Sequence, residues 1–407
     1  MKRRQFLQAG LASAGLTALS YAQVAGANER PGVGFIGTGG RCGAHIDIVN
    51  HLKQQGLAEP VAVCDVYEPR LKAASEKTGG AKMYKAHEEL LQDSRVDIVC
   101  IASPDRHHAP QAIDAVRAGK DVYCEKPLTH WAQFDLAKQL GDEAKKHERI
   151  VQVGTQYMAD DNYANVQEMI RDGIIGKPVQ AELGYFRRGD WGERMPIPDP
   201  NAKPGPELDW ERFLGDAPQV PFSVSRFFQW RLYWDYAGGP STDLLVHMFT
   251  PVFCLLGLDF PQRVFGGGGT FQYDREVPDQ CNIIADYPEG PSIVMMNSLS
   301  NYRGTDTIIR GTDGVIMWKP LGSEECRGIR IVPFAQGKEE IFLPWKGMGD
   351  TGRLWANLIE CAKTRKQPYS PIDAAVRVQA PLSMGIISHR ESKVALFDAQ
   401  RQAITLS

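Results

Sequence analysis

Between residue 31 and about residue 150 the chain alternates short apolar runs with stretches of helical periodicity. "VGFIG", "PVAVCD", "VDIVCIAS" and "DVYCE" are apolar without alternation, the pattern of strands covered on both faces. The stretches between them, residues 87–93 and 109–118 among them, repeat apolar positions at helical spacing. Strands alternating with helices predict a parallel sheet with crossover helices.

After "IVQVGTQY" the texture changes. Residues 160–172 read as a helix ended by Gly173, and "RMPIPDPNAKPGPELDW" carries too much Pro and Gly for regular structure. Beyond Gln262, "RVFGGGGTFQY", "CNIIADY", "SIVMMNS", "DTIIRG", "GVIMW" and "IRIV" follow one another closely. Strand after strand with tight turns predicts an antiparallel sheet. Two late helices, residues 352–363 and 373–389, are expected to pack back on the first domain.

A chain of 407 residues is too long for one comfortable core, so two domains are expected, residues 31–150 and 151–407. A formal charge of −3 gives no reason to expect a nucleic acid or an anionic membrane as partner. The first residues change the picture. Lys2, Arg3 and Arg4 precede a short apolar run and the small residues Ala25, Gly26 and Ala27. That order is an export signal over residues 1–27, too short and interrupted to anchor in a bilayer. The paired arginines resemble the twin-arginine type, which carries folded proteins to the periplasm. Its removal takes three positive charges and no acids, leaving −6. The eight cysteines include no CxxC pair, and Cys64, Cys100 and Cys124 sit in apolar runs. All eight are read as free thiols, with no metal site.

The candidate chemistry begins at "GFIGTGGRCG". Gly37 and Gly39 match the first two glycines of the dinucleotide fingerprint, where the backbone turns tightly against a pyrophosphate at a helix N-terminus. Thr38 and Arg41 belong to the same turn, and Cys42 takes the third glycine's place, a departure small enough for close helix–strand packing. Asp65 ends the second strand 26 residues beyond Gly39, where a carboxylate accepts from a ribose hydroxyl and repels a 2′-phosphate. NAD is therefore expected, with nearby Arg70 keeping NADP open. Ser103, Glu125 and Lys126 fall at carboxyl ends of strands, where open α/β sheets bind ligands.

"IASPDRHHA", "DVYCEKPLT" and "STDLLVHMFTPVFCLLG" resemble the glucose–fructose oxidoreductase, inositol dehydrogenase and MocA family, over essentially the whole mature chain. The resemblance implies a Rossmann domain, doubly wound and parallel, followed by an α/β domain with a large open, mainly antiparallel sheet used for homodimer or homotetramer contacts. It assigns Lys126 to a substrate hydroxyl beside the nicotinamide, matches Asp243 and His247 to the family's Asp-x-x-x-His, and places Pro104 and His108 near the nicotinamide ring. Spacing alone puts Asp243 and His247 on one helical face, with His247 a base candidate and Asp243 orienting it or holding a neighbouring hydroxyl. Gln156 is a further pocket candidate, and "RFFQWRLYWDYAGG" suits a sugar platform, a core or a subunit contact alike.

The expected function is oxidation of a sugar-like secondary alcohol. Export away from free nucleotide requires a tightly held, internally recycled cofactor. One alternative is a glycosidase working by transient oxidation, elimination, hydration and re-reduction. Another is a non-catalytic dinucleotide- or sugar-binding protein.

Overall fold

A computed structural model describes residues 30–189, 196–320, 323, 325 and 327–407; the expected export signal and Cys326 lie outside these residues. The first domain runs β1 (Gly32–Ile36), α1 (Gly40–Gln54), β2 (Glu59–Cys64), α2 (Glu68–Lys77), β3 (Lys82–Tyr84), α3 (His87–Leu91), β4 (Ile98–Ile101), α4 (Asp105–Arg117), β5 (Asp121–Cys124), α5 (Phe134–Lys146) and β6 (Val151–Val153). Its six strands are all parallel in the order β3-β2-β1-β4-β5-β6. Every residue of β1, β4 and β5 is buried, which is why these strands read as unbroken apolar runs. The strand order reverses between β1 and β4, and a crevice opens there beyond the strand ends. α4 starts four residues before the periodicity suggested, because Asp105 and His108 of its first turns are buried polar residues.

The rest of the chain continues with α6 (Asn162–Arg171), β7 (Pro178–Phe186), α7 (Trp210–Leu214), α8 (Val224–Phe228), α9 (Pro240–Asp243), α10 (Leu245–Leu256), β8 (Arg263–Gly269), β9 (Gln280–Asp286) and β10 (Ser292–Ser298). Then come β11 (Thr307–Gly311), β12 (Gly314–Trp318), β13 (Gly328–Pro333), β14 (Ile341–Pro344), α11 (Thr351–Thr364), α12 (Ile372–Glu391), β15 (Ala395–Asp398) and β16 (Ala403–Leu406). The second sheet has ten strands in the order β14-β13-β12-β11-β7-β10-β9-β8-β15-β16. Only β7 and β10 pair in parallel; the other neighbours are antiparallel. Cys281, Ile283, Ala285, Ile293 and Met295 alternate along β9 and β10 into a core shared with α6, α10 and α12. The opposite face shows Phe265, Ile284 and Phe342 to solvent.

Two features bind the halves together. α11 lays Leu354, Trp355, Leu358 and Ile359 into the core of the first domain beside Cys42 and Ile46 of α1. In front, residues 196–237 form a strap across the strand ends of the parallel sheet. Its aromatic residues Trp210, Phe213, Phe227 and Phe228 cluster on Tyr67. At one end the backbones of Glu68 and Glu207, and of Val66 and Asp209, bond at 2.8 and 3.0 Å. At the other, Arg106 Nε donates to Asp216 at 2.7 Å, and His107 meets the Phe213 carbonyl at 2.8 Å.

Candidate active site

Beneath the strap lies a cleft of about 690 Å³, lined among others by Gly37, Arg41, Asp65, Ser103, Trp230 and Arg231. Its floor is the turn between β1 and α1. Gly37 has φ +78°, and a Cβ there would stand 2.5 Å from the Ser103 nitrogen, so no larger residue fits. Gly39 caps α1 without a side-chain acceptor, and no acid occupies the first helical turn. The first N–H groups of a 15-residue helix thus face the cleft with their partial positive charge. Asp65 is buried and accepts from the Thr38 N–H (2.7 Å) and hydroxyl (3.1 Å) and from the Tyr67 N–H (2.9 Å). A carboxylate has about four acceptor sites, so one remains for a ribose hydroxyl. The residues present fit a dinucleotide.

The reacting end lies where β5, the strap and α10 converge. Lys126 lies two residues beyond the end of β5 and precedes Pro127 across a cis bond, and its ammonium bonds the Asp243 carboxylate and, at 3.0 Å, the Asp243 carbonyl. Arg231 Nε stands 3.5 Å from the other Asp243 oxygen. His247 is buried, lies 5.2 Å from the Tyr157 ring and has no partner for Nδ1 among the described residues. Burial, reinforced by the Lys126 charge, lowers its proton affinity to a pKa of about 3, so the ring is neutral. The Gln156 Oε1 is likewise buried without a partner. Buried polar atoms left open in this way suit a ligand that brings its own hydroxyl groups.

The spacing-based picture of one helix carrying Asp243 and His247 needs correction. The chain breaks at Leu244 (φ −111°), so Asp243 ends α9 and His247 lies in the first turn of α10. The break lets the Asp243 carboxylate reach Lys126 and Arg231 while its carbonyl also meets Lys126.

Of the sequence-derived cofactor residues, Gly37, Gly39, Arg41, Asp65, Ser103 and Pro104 line the cleft. Thr38, Cys42, His108 and Glu125 support it from behind. Cys42 is fully buried against the sheet. His108 places Nδ1 2.7 Å from the Pro127 carbonyl and Nε2 2.8 Å from that of Ser103, pinning two strand-end loops together. Glu125 is buried, with Oε1 on Arg41 Nε (2.8 Å) and His45 Nε2 (2.9 Å) and Oε2 on the Lys126 N–H (3.1 Å). Burial alone would raise its pKa, but the Arg41 charge and the His45 hydrogen bond outweigh burial and hold it well below the usual carboxylate range. A Cβ on Gly154 would come within 2.8 Å of the carboxylate, so glycine there makes its room.

Two family profiles match in sequence: an oxidoreductase family, NAD-binding Rossmann fold, over residues 32–155, and the C-terminal alpha/beta domain of the same family over residues 160–405. The chain belongs to the Gfo/Idh/MocA oxidoreductase family. The inositol 2-dehydrogenase of Rubrobacter xylanophilus is 36% identical over 166 residues, 40% of this chain and 46% of that protein. The myo-inositol 2-dehydrogenase of Thermotoga maritima is 35% identical over 147 residues, 36% of this chain and 42% of its own. The chain thus matches less than half the length of these curated relatives.

Gfo/Idh/MocA likeness extends to folds. The aldose–aldose oxidoreductase of Caulobacter crescentus superposes with a TM-score of 0.66 at 20% identity, covering 90% of this chain and 99% of that one. The WlbA dehydrogenase of Bordetella pertussis, solved with NADH and UDP-GlcNAcA, gives 0.66 at 18%, covering 90% and 98%. Sequence reasoning missed His45, Tyr157 and Trp355 at this family site. His45 and Trp355 meet across 310 positions of sequence, and no local pattern announces such a pair.

Proposed function

We propose that this protein is an NAD-dependent oxidoreductase acting on a secondary alcohol of a sugar or sugar-like polyol, exported folded by the twin-arginine route with its cofactor held and recycled in place. The observation that carries the reading is the Lys126–Asp243 pair with neutral His247 beside a crevice fitted to a dinucleotide.

When bound, the nicotinamide supplies the hydride acceptor. Gly37 and Gly39 admit its phosphates to the α1 terminus, and Asp65 takes the adenosine ribose. Lys126 donates to the reacting oxygen and stabilises the negative charge that grows as the C–H bond yields its hydride. His247, neutral and open at Nδ1, takes the hydroxyl proton, leaving a carbonyl. Asp243 holds Lys126 in place. A second carbonyl sugar then takes the hydride back and resets the site. The strap, bonded beside the end of β2 and to the first turn of α4, supports retention of the cofactor. The exposed apolar face of the second sheet is the proposed homodimer or homotetramer contact.

The test is to purify the mature protein without added nucleotide and identify what it carries. Sugars, inositols and aryl glycosides are then added while reduced-nicotinamide absorbance is followed. Lasting reduction that a ketose reverses supports the oxidoreductase. Aglycone release without net reduction would replace it with glycoside cleavage by transient oxidation. A protein that carries and binds no dinucleotide would overturn the reading.

A further inference from the structure

Behind the glycine turn a hydrogen-bonded line runs from α11 to the cleft. Its first donor is the Trp355 indole N–H, 3.0 Å from His45 Nδ1. An indole nitrogen donates only, so His45 Nδ1 must carry the lone pair and Nε2 the proton. Nε2–H then donates to Glu125 Oε1 at 2.9 Å. His45 is fully buried, its ring 4.8 Å from that of Tyr123, which stacks on Trp355 at 4.8 Å and 7°. Packing therefore leaves this imidazole one orientation and the indole leaves it one tautomer.

The same Glu125 oxygen accepts from Arg41 Nε at 2.8 Å. A neutral His45 donates without competing for the charge of the carboxylate, which stays available to the guanidinium. With Nε engaged, the two terminal nitrogens of Arg41 have no partner among the described residues. They belong to a side chain that is 36% exposed and lines the cleft within the first turn of α1. A guanidinium fixed at one nitrogen and open at two is built for an oxyanion, and the anionic part of NAD is its pyrophosphate.

We propose that Trp355 and His45 are positioning residues for phosphate recognition: through Glu125 they hold Arg41 at the start of α1, where it binds the pyrophosphate of the dinucleotide. This rests on the NAD reading above. It also explains why Glu125 precedes Lys126, since its other oxygen fixes the Lys126 backbone and one buried carboxylate registers the phosphate site against the reacting end.

The experiment titrates the protein, cleared of nucleotide with charcoal, with NADH, ADP and adenosine by calorimetry. Trp355→Phe and His45→Phe should weaken ADP and NADH by about tenfold, the loss of one well-placed charge-assisted contact, and leave adenosine unchanged. His45→Gln, which keeps a donor for Glu125, should restore most of the difference. Nitrogen-15 spectra of the unsubstituted protein should show His45 bare at Nδ1 and protonated at Nε2. A protonated Nδ1, ADP affinity within twofold in both phenylalanine variants, or equal losses for ADP and adenosine would overturn the relay. If the unsubstituted protein binds neither ADP nor NADH, the NAD reading falls and this inference with it.

Discussion

At the scale of single residues, the proposed mechanism separates groups that touch substrate from groups that hold them. In it Lys126 belongs to the first kind and Glu125 to the second, although they are neighbours in sequence. Lys126→Met is expected to lower turnover by about 10²- to 10³-fold, the usual cost of removing a donor that stabilises developing charge. NADH affinity, read by fluorescence titration, should change little, and a large loss there would make Lys126 a cofactor ligand instead. His247 predicts a pH profile. Its folded pKa lies near 3, so the ring is neutral and able to accept a proton throughout the neutral range. The acid side of kcat/KM should then show no fall near the ordinary histidine value of about 6.5. A limb at that position that His247→Asn abolishes would mean a solvated His247. The strand-end places of Gly37, Asp65 and Lys126 were legible in the sequence because strand ends and glycine spacing mark them locally, while the role of Lys126 came from the family resemblance. His45 and Trp355 were not, because their pairing depends on how α11 packs.

Among the elements, the strap is the one proposed to retain the cofactor. Its Pro- and Gly-rich beginning read as irregular, and irregular chain it largely is. What composition could not reveal was its course over the crevice, set by its aromatic cluster on Tyr67 and its bonds to residues 66–68 and to the first turn of α4. Asp216 is a foot of the strap, taking Arg106 on one oxygen and Gln133 Nε2 at 3.0 Å on the other. Asp216→Ala should speed exchange of bound nucleotide for labelled NAD severalfold, with a melting temperature close to that of the parent. Equal exchange rates would show that retention lies elsewhere. The α9–α10 break is a second case of local pattern yielding to packing. A separation of four positions suggested one helical face, yet the chain kinks at Leu244 to bring Asp243 to Lys126 and Arg231.

For the whole molecule, buried neutral histidines link stability to pH. His130 and His247 both have folded pKa values near 3, lowered chiefly by burial, against about 6.5 in an unfolded chain. The unfolded state therefore takes up protons first as pH falls. The stabilisation is complete above about pH 6.5 and is lost progressively toward the folded values, each histidine costing about 1.4 kcal/mol per pH unit. Melting temperatures should fall between pH 6.5 and 5, and constancy over that range would contradict the burial of these rings. The second sheet carries an expectation of its own. With one face covered by helices and Ile284 exposed on the other, Ile284→Glu should shift the species seen by sedimentation toward monomer if that face joins subunits.

The sequence by itself determined the two kinds of sheet, the glycine turn, the acid at the end of β2 and the Lys126 position. Each follows from a pattern within a few residues: unbroken apolar runs, alternating strands, or a fixed distance from a strand end. Tertiary structure alone decided which groups meet. It set Asp243 between Lys126 and Arg231, carried Trp355 to His45, and drew the strap across the cleft. Those contacts join residues far apart in the chain, and side-chain packing selects them without leaving a repeat or spacing to read.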